Sequence, residues 1–511
     1  MKKQTTLLLA LLLLASTVLG ACSGETSSDP NGETTAAQVN TEPPETEAQK
    51  IEPDLPDITY DGRDYRIYSW YIEPAGVGAY WVWDDVWVEA QNGEVINDAV
   101  FQRNSYVEEK FDIAIQYKNE FYINYEENVK KSVKANEDLY DVILSMGHCI
   151  PRMYTSNVFY NLHDIDYLDF DKPWWDANAT EAFTLAGYMP FAVSDMTILD
   201  KGATACVFFN KKIAEDYGVG NLYEHVYNNT WTMDTLITEG KKVSEDLNGD
   251  SIYDENDRYG IVCGDEPVYM FFHAADGRYV TKDADGYPVF TFESESNYSA
   301  IQYYLENIMY DERLTFNATY NDYKNWGSTL VNTFIENKAL FMVDLIRDIE
   351  SLRSMESDFG ILPIPKYSAS QDHYSSSASV FGGNLISVPI TCTDTDFVGI
   401  ILEALSAEST YTLIPAFYDT VLKDKATRDV ESTDMLDIII ESRVYDVGDF
   451  FNIVSFPDLF LRITGSVHDN GISSAYPKRT SDVASFYAKY EKSINKELEK
   501  LIEIIDEWNE M

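Results

Sequence analysis

Tyr65-Arg66-Ile67-Tyr68-Ser69-Trp70 alternates its side chains with the two-residue period of a strand. Gly93-Glu94-Val95-Ile96-Asn97 then leads into a helical stretch with Val100, Val107 and Phe111 on its apolar side. A second strand follows at Phe111-Asp112-Ile113-Ala114-Ile115, and a second helical pattern runs through Val129 and Val133. Tyr140-Asp141-Val142-Ile143-Leu144 reads as a third, buried strand. Strand, helix, strand, helix, strand predicts an α/β fold with a parallel sheet and right-handed crossovers. Ligands of such sheets sit beyond the carboxyl ends of the strands. That rule points to Trp70 and to Ser145, Met146, Gly147 and His148.

Outward from this core, the N-terminus has the marks of export. Met1-Lys2-Lys3 is a positive start, and a leucine-rich run at 7–14 is too short to cross a bilayer. Leu19-Gly20-Ala21-Cys22 follows, which predicts a signal peptide over 1–21 and resembles a bacterial lipobox with Cys22 as the lipidated residue. Two or three acyl chains on one Cys make a lasting anchor, where a single chain holds only marginally. Residues 23–57 carry no aromatic side chain and are acidic, with Thr, Ser and Pro between the charges. Such a segment buries too little apolar area to fold, so 22–57 reads as a lipidated Cys and a disordered acidic tether. The folded part then holds roughly 450 residues, which is long enough for two lobes.

The charge and the missing motifs exclude several functions. A net charge of −48 makes nucleic acid a poor partner, because affinity for phosphate comes from Lys and Arg. Acidity on this scale serves solubility outside the cell. Cys149, Cys206, Cys263 and Cys392 are far apart and form no Cys-x-x-Cys. Secretion would permit three disulfide connectivities, and isolated buried thiols are an equal reading. The chain has no Gly-x-Ser-x-Gly elbow, no Gly-x-x-x-x-Gly-Lys loop and no His-Glu-x-x-His. With no positive sign of catalysis, the expectation is a protein that is not an enzyme.

Further along, Cys206-Val207-Phe208-Phe209-Asn210-Lys211-Lys212 precedes Ala214-Glu215-Asp216-Tyr217-Gly218 and Thr230-Trp231-Thr232. Phe334 through Met342, Phe359-Gly360-Ile361-Leu362-Pro363-Ile364-Pro365 and Phe381-Gly382-Gly383-Asn384 follow in order. These landmarks resemble the extracellular solute-binding proteins of ABC importers, family 1, over nearly the whole mature chain. The resemblance implies a two-lobed periplasmic-binding-protein-like fold (type II), with the solute gripped between the lobes by hinge closure. It places lobe 1 at 58–204 plus about 359–425, and lobe 2 at 205–358 plus about 426–511. It also implies a monomeric receptor on the outer face of the cell membrane that hands its solute to the permease subunits of an ABC transporter. A receptor of the same fold for a peptide or other organic solute is the alternative within the class. A cell-surface glycan hydrolase or adhesin is the alternative outside it.

The resemblance leans towards carbohydrate, and the tryptophans agree. Sugar rings lay their C–H faces on aromatic rings while a few polar groups fix the hydroxyls. Trp70, Trp81, Trp83, Trp87, Trp174, Trp175 and Trp326 are available, although core packing is an equal use for each; Trp231 resembles the family's structural helix-opening Trp. The expected cleft residues are Trp70 for stacking, Ser145, Met146, Gly147 and His148, then Asp195, Asp344, Arg347 and Asn384. At the chain end Val483, Phe486, Tyr487, Tyr490, Ile494, Leu498, Leu501, Ile505 and Trp508 recur at helical steps, which predicts a docked helix.

No cofactor is required by this reading, but one loop has calcium-like spacing. Asp246, Asn248 and Asp250 fall at positions 1, 3 and 5 of a calcium loop, with Ile252 (through its carbonyl) at 7, Asp254 at 9 and Asp257 at 12. Ser251 stands where the usual Gly turns the chain, Asp257 replaces the longer Glu, and Tyr259-Gly260-Ile261-Val262-Cys263 leaves as a strand rather than a helix. The loop therefore reads as a structural calcium staple or an unmetallated turn, not a sensor.

Overall fold

The computed structural model describes residues 50–71, 83–149, 151–322, 324–422, 430–453, 463–464 and 479–510. The signal segment, Cys22, the tether to residue 49 and Trp81 lie outside the described residues. Glu52–Met511 form one compact unit.

Among the described residues the first strands in chain order are β1 (Arg63–Tyr71), β2 (Ile113–Phe121), β3 (Val142–Met146), β4 (Ala205–Asn210), β5 (Tyr259–Cys263), β6 (Val280–Lys282) and β7 (Pro288–Phe290). They are followed by β8 (Thr315–Asn317), β9 (Ala339–Leu345), β10 (Phe359–Leu362), β11 (Ser376–Ser377), β12 (Asn384–Ser387) and β13 (Arg443–Val444). Two sheets dominate, in the orders β12-β3-β1-β2 and β10-β4-β9-β5-β8.

The first sheet follows the expected pattern. β1 pairs parallel with both β2 and β3. The intervening helix Val95–Phe111 buries Ile96, Val100, Val107 and Phe111, and Asp112 at φ 48° ends it and turns the chain into β2. β12, far along the chain, adds antiparallel to β3 with Asn384 opposite Met146. The second sheet is mixed: β9, β5 and β8 run parallel, whereas β4 is antiparallel to β9 and β10 antiparallel to β4. Thus β10, which opens the segment assigned from sequence to the first lobe, pairs in the second sheet.

Local chemistry sets the helix starts after the second sheet's strands. Asn210 ends β4 and its side-chain oxygen accepts from the Ile213 amide, capping Lys211–Asp216. Thr232 caps Met233–Val243 through Thr235 N. Trp231 is fully buried and donates Nε1–H to the Pro363 carbonyl at 2.8 Å. It is core.

The segment Thr395–Val421 is long and apolar enough to cross a membrane, but it lies mostly buried in the fold. It packs on the helix Val95–Phe111. Its Glu403 accepts the indole N–H of both Trp174 and Trp175 at 2.9 Å, so that tryptophan pair is also core. The C-terminal stripe forms helices Val483–Tyr487 and Glu491–Glu510. Trp508 stacks on Tyr188 at 4.3 Å and donates to Asn157 at 2.7 Å, which docks the chain end. All four described cysteines are buried free thiols.

Candidate functional site

The carboxyl edges of the two sheets are brought together by chain crossings. One crossing runs from Leu199 through Thr204 into β4; the second runs from β11 to β12. They are bound side by side: Ser379 N donates to the Ala203 carbonyl at 2.9 Å, and Thr204 bridges Ala378. A third strand, β13, pairs with β11 in register Ser376 to Arg443. Gly383 packs against Asp200, where a Cβ would lie 3.4 Å from the Asp200 Cα, an ordinary van der Waals contact.

At the first edge, the sequence candidates gather. Trp70 Nε1 donates to Asn384 Oδ1 at 2.8 Å, both residues being buried. Ser145 Oγ lies 3.1 Å from the Tyr125 hydroxyl, and Met146 is paired with Asn384. Gly147 approaches Val380 and the Phe450 ring so closely that a Cβ would lie 3.2 Å from the Val380 Cα. His148 N donates to the Val380 carbonyl at 2.9 Å, and its ring faces Phe381 at 5.3 Å. Trp70 is only 4% exposed, so in this state it orients Asn384 rather than offering an open face.

At the second edge, Asp344 near the end of β9 lies close to Asp348, Arg347 and Glu266. Burial, with the neighbouring Asp348 adding to it, pushes the Asp344 carboxyl well above the usual range. Burial likewise lifts Glu266 to about 7, with Asp265 adding to it. Burial draws the Arg347 guanidinium down. Arg347 Nη1 reaches the Phe381 carbonyl at 3.3 Å. Phe381 therefore touches His148 of the first edge and Arg347 of the second. Both candidate groups face the same crossing. Asp265, Glu266 and Asp348 were missed from the sequence, although Gly264-Asp265-Glu266-Pro267 directly follows a strand and obeys the rule that found Trp70.

Asp195 belongs elsewhere. It pairs with Lys201 Nζ at 3.0 Å and accepts from Thr410 at 2.8 Å. Lys201 also meets Asp200 at 3.5 Å, and Arg443 joins Asp200 at 2.9 Å and Asp176 through its other nitrogen. Tyr445 donates to Asp176 at 3.0 Å. This buried network ties the first crossing, through Asp200 and Lys201, to β13, through Arg443, and to Tyr445 just after it. For Asp176, burial opposes ionisation but Arg443 prevails and the pKa is lowered; burial raises Asp200.

The 246–257 loop is held by its own main chain. Asp246 accepts from Gly249 N and Ser251 N at 2.7 and 2.8 Å, and Asp250 from Ile252 N at 2.7 Å. Asn248 accepts from Asp250 N at 2.9 Å and Asp254 from Asn256 N at 2.8 Å. Buried Asp257 accepts from Leu247 N and Asp254 N, both at 2.9 Å. Ser251 adopts φ 70°, the conformation a Gly would favour. Among the described residues, no three or more His, Cys, Asp or Glu side chains are placed to hold a metal ion.

Two α/β sheets joined by crossing strands, with residues from the carboxyl edge of each meeting at Phe381, define the class of two-lobed binding proteins. The chain is similar over that whole fold to the cyclic α-maltosyl-1,6-maltose binding protein from Arthrobacter globiformis, at 13% identity and TM-score 0.55, covering 86% of this chain and 99% of that one. It is similar to the sugar-binding protein MalE of the phytopathogen Xanthomonas citri at 13% identity and TM-score 0.54, covering 85% and 98%. The GacH receptor of Streptomyces glaucescens, solved unliganded and with acarbose, matches at 14% identity and TM-score 0.53, covering 85% and 99%. A comparison with curated protein sequences gives no match. Residues 104–428 match the bacterial extracellular solute-binding protein family, and the chain belongs to that family.

Proposed function

We propose that the protein is a lipid-anchored extracellular receptor that captures a carbohydrate between its two sheet edges and delivers it to an ABC permease. The observation that carries this reading is the meeting of the edges at Phe381, with Trp70, Asn384 and His148 on one side and Asp344, Arg347 and Glu266 on the other. An amide on one edge and carboxylates with a guanidinium on the other suit the hydroxyls of a sugar, which both donate and accept. The structural neighbours named for sugars and oligosaccharides support the same class. In this account Trp70 acts through Asn384, and Ser145 to Gly147 shape the floor. The first lobe comprises 58–204 and a return that begins after β10 and runs to about 425. The second comprises 205–362 and about 426–511. The Leu-Gly-Ala-Cys signature at Cys22 supports the anchor.

Thermal unfolding across a panel of oligosaccharides and peptides tests the proposal, because a ligand of the folded state raises Tm. A sugar that raises Tm and is not turned over supports it. Stabilisation by peptides alone moves the solute class, and hydrolysis of a bound glycan moves the protein to an enzyme. A structural calcium on the 246–257 loop would appear as a calcium-dependent rise in Tm that Asp250→Ala abolishes. An unchanged Tm leaves the loop held by its own amides.

A further inference from the structure

A further contact joins the lobes beside the first crossing. Trp83 lies ahead of the helix Val95–Phe111 in the first lobe, and its Nε1 donates to Glu350 Oε1 of the second at 3.3 Å. Glu350 sits on the short helix Ile349–Leu352, just beyond Arg347. Its other oxygen meets Arg353 Nη1 at 2.6 Å, which aims the carboxylate. The Trp83 ring meets Phe417 edge-on at 5.7 Å and lies against Gly202 of the crossing. A Cβ on Gly202 would come within 2.6 Å of that ring, so a larger residue there would displace it.

The segment that carries Trp83 is fixed just after it. Asp85 is buried and accepts from the Ile198 and Leu199 amides at 2.8 and 3.2 Å, where the crossing begins. Fully buried Arg103 donates to the Val86 and Met196 carbonyls at 2.6 and 2.8 Å. Trp83 is thus an arm mounted on the first lobe and its crossing that reaches the second lobe. Beside it a cavity of about 420 Å³ separates Trp83, Asn92 and Asn97 on one side from Glu350 and Arg353 on the other. A hydrogen bond across such a hollow seam is lost when the lobes rotate apart. A bond made in one state and not in the other biases the balance between them.

We propose that Trp83 is a latch between the lobes, which holds the protein in the arrangement seen here before a solute arrives. It acts by position: Trp83 and Glu350 bond each other, and a solute gains from them through a cleft already assembled. The inference rests on the two-lobed fold and not on the class of solute. Loss of one hydrogen bond to a charged acceptor shifts the ratio of closed to open molecules about tenfold towards open.

Small-angle X-ray scattering on the full chain without solute reads that opening as a rise in radius of gyration. Trp83→Phe keeps a ring against Gly202 but loses the N–H, and Glu350→Ala removes the acceptor. Each raises the radius of gyration while a cooperative thermal transition shows the protein still folded. Glu350 is partly exposed, so Glu350→Ala carries the test should Trp83→Phe not fold. The variant with both substitutions opens no further than either single one, because both remove the same bond. A radius of gyration that stays at the wild-type value in the folded single variants, or single effects that add in the double variant, overturns the proposal.

Discussion

Replacing Arg443 by methionine removes the guanidinium that joins Asp176 to Asp200 where β13 meets the first crossing. The side chain is 7% exposed and its partners are 6% and 3% exposed, so water cannot take its place. Breaking a buried ion pair by removing one partner costs about 3–5 kcal/mol, here because Asp176 loses its ion-pair partner and Asp200 keeps only Lys201. A unit of roughly 460 residues has an unfolding entropy near 1 kcal/mol/K, from about 2.1 cal/mol/K per residue. The expected loss in Tm is therefore about 3–5 °C, read by differential scanning calorimetry. Adding Asp176→Asn and Asp200→Asn to Arg443→Met neutralises the stranded charges and recovers most of that loss. A single variant as stable as wild type, or a triple variant less stable than the single, would refute the reasoning that charge burial holds the crossings.

Three further outcomes follow from the same structure. Trp70→Phe leaves Asn384 Oδ1 without its buried donor and lowers unfolding stability by about 1–3 kcal/mol in urea titrations. Asp257→Ala strands the amides of Leu247 and Asp254 and costs a similar amount, whether or not calcium is present, in the same titrations. Burial lifts Asp85, Glu266 and Glu403 to about 7 and Asp446 to about 6. Each folded pKa lies above its unfolded value, so the folded state holds these protons more tightly. Their contribution is full below about pH 4 and is lost as pH rises through 6–7. Asp176 and Asp394 are lowered, and their contributions fade towards acid instead. Tm should therefore fall from pH 6 to pH 8, and a Tm that rises over that interval contradicts the assignment.

The first sheet was legible because its signal is local. Alternation at 65–70, a helical face at Val100, Val107 and Phe111, and an apolar run at 140–144 each specify an element that then pairs with its sequence neighbours. The rule about strand ends, applied to those elements, pointed to Trp70 and His148, and the structure has both at the carboxyl edge of that sheet. Stretches that depend on distant pairing were harder to place. β10 carries the same apolar pattern in either sheet, and only its register with β4 decides. Glu403 draws the Trp174–Trp175 pair into the core across more than two hundred residues, and no local pattern marks that bond. Arg443, Asp200 and Asp176 likewise meet only once the crossings are assembled. Asp195 was expected in the cleft, but Lys201, six residues on, draws it into the network.

The central claim is that one solute is held from both sheet edges at once. Calorimetric titration of the sugar that most raises Tm, into wild type, Asn384→Ala and Asp344→Asn, tests it most directly. The account predicts that each single substitution, one on each edge, weakens binding by at least about tenfold while the protein stays folded. Binding that is unchanged in both variants, or a complete panel of sugars without effect on Tm, would contradict it.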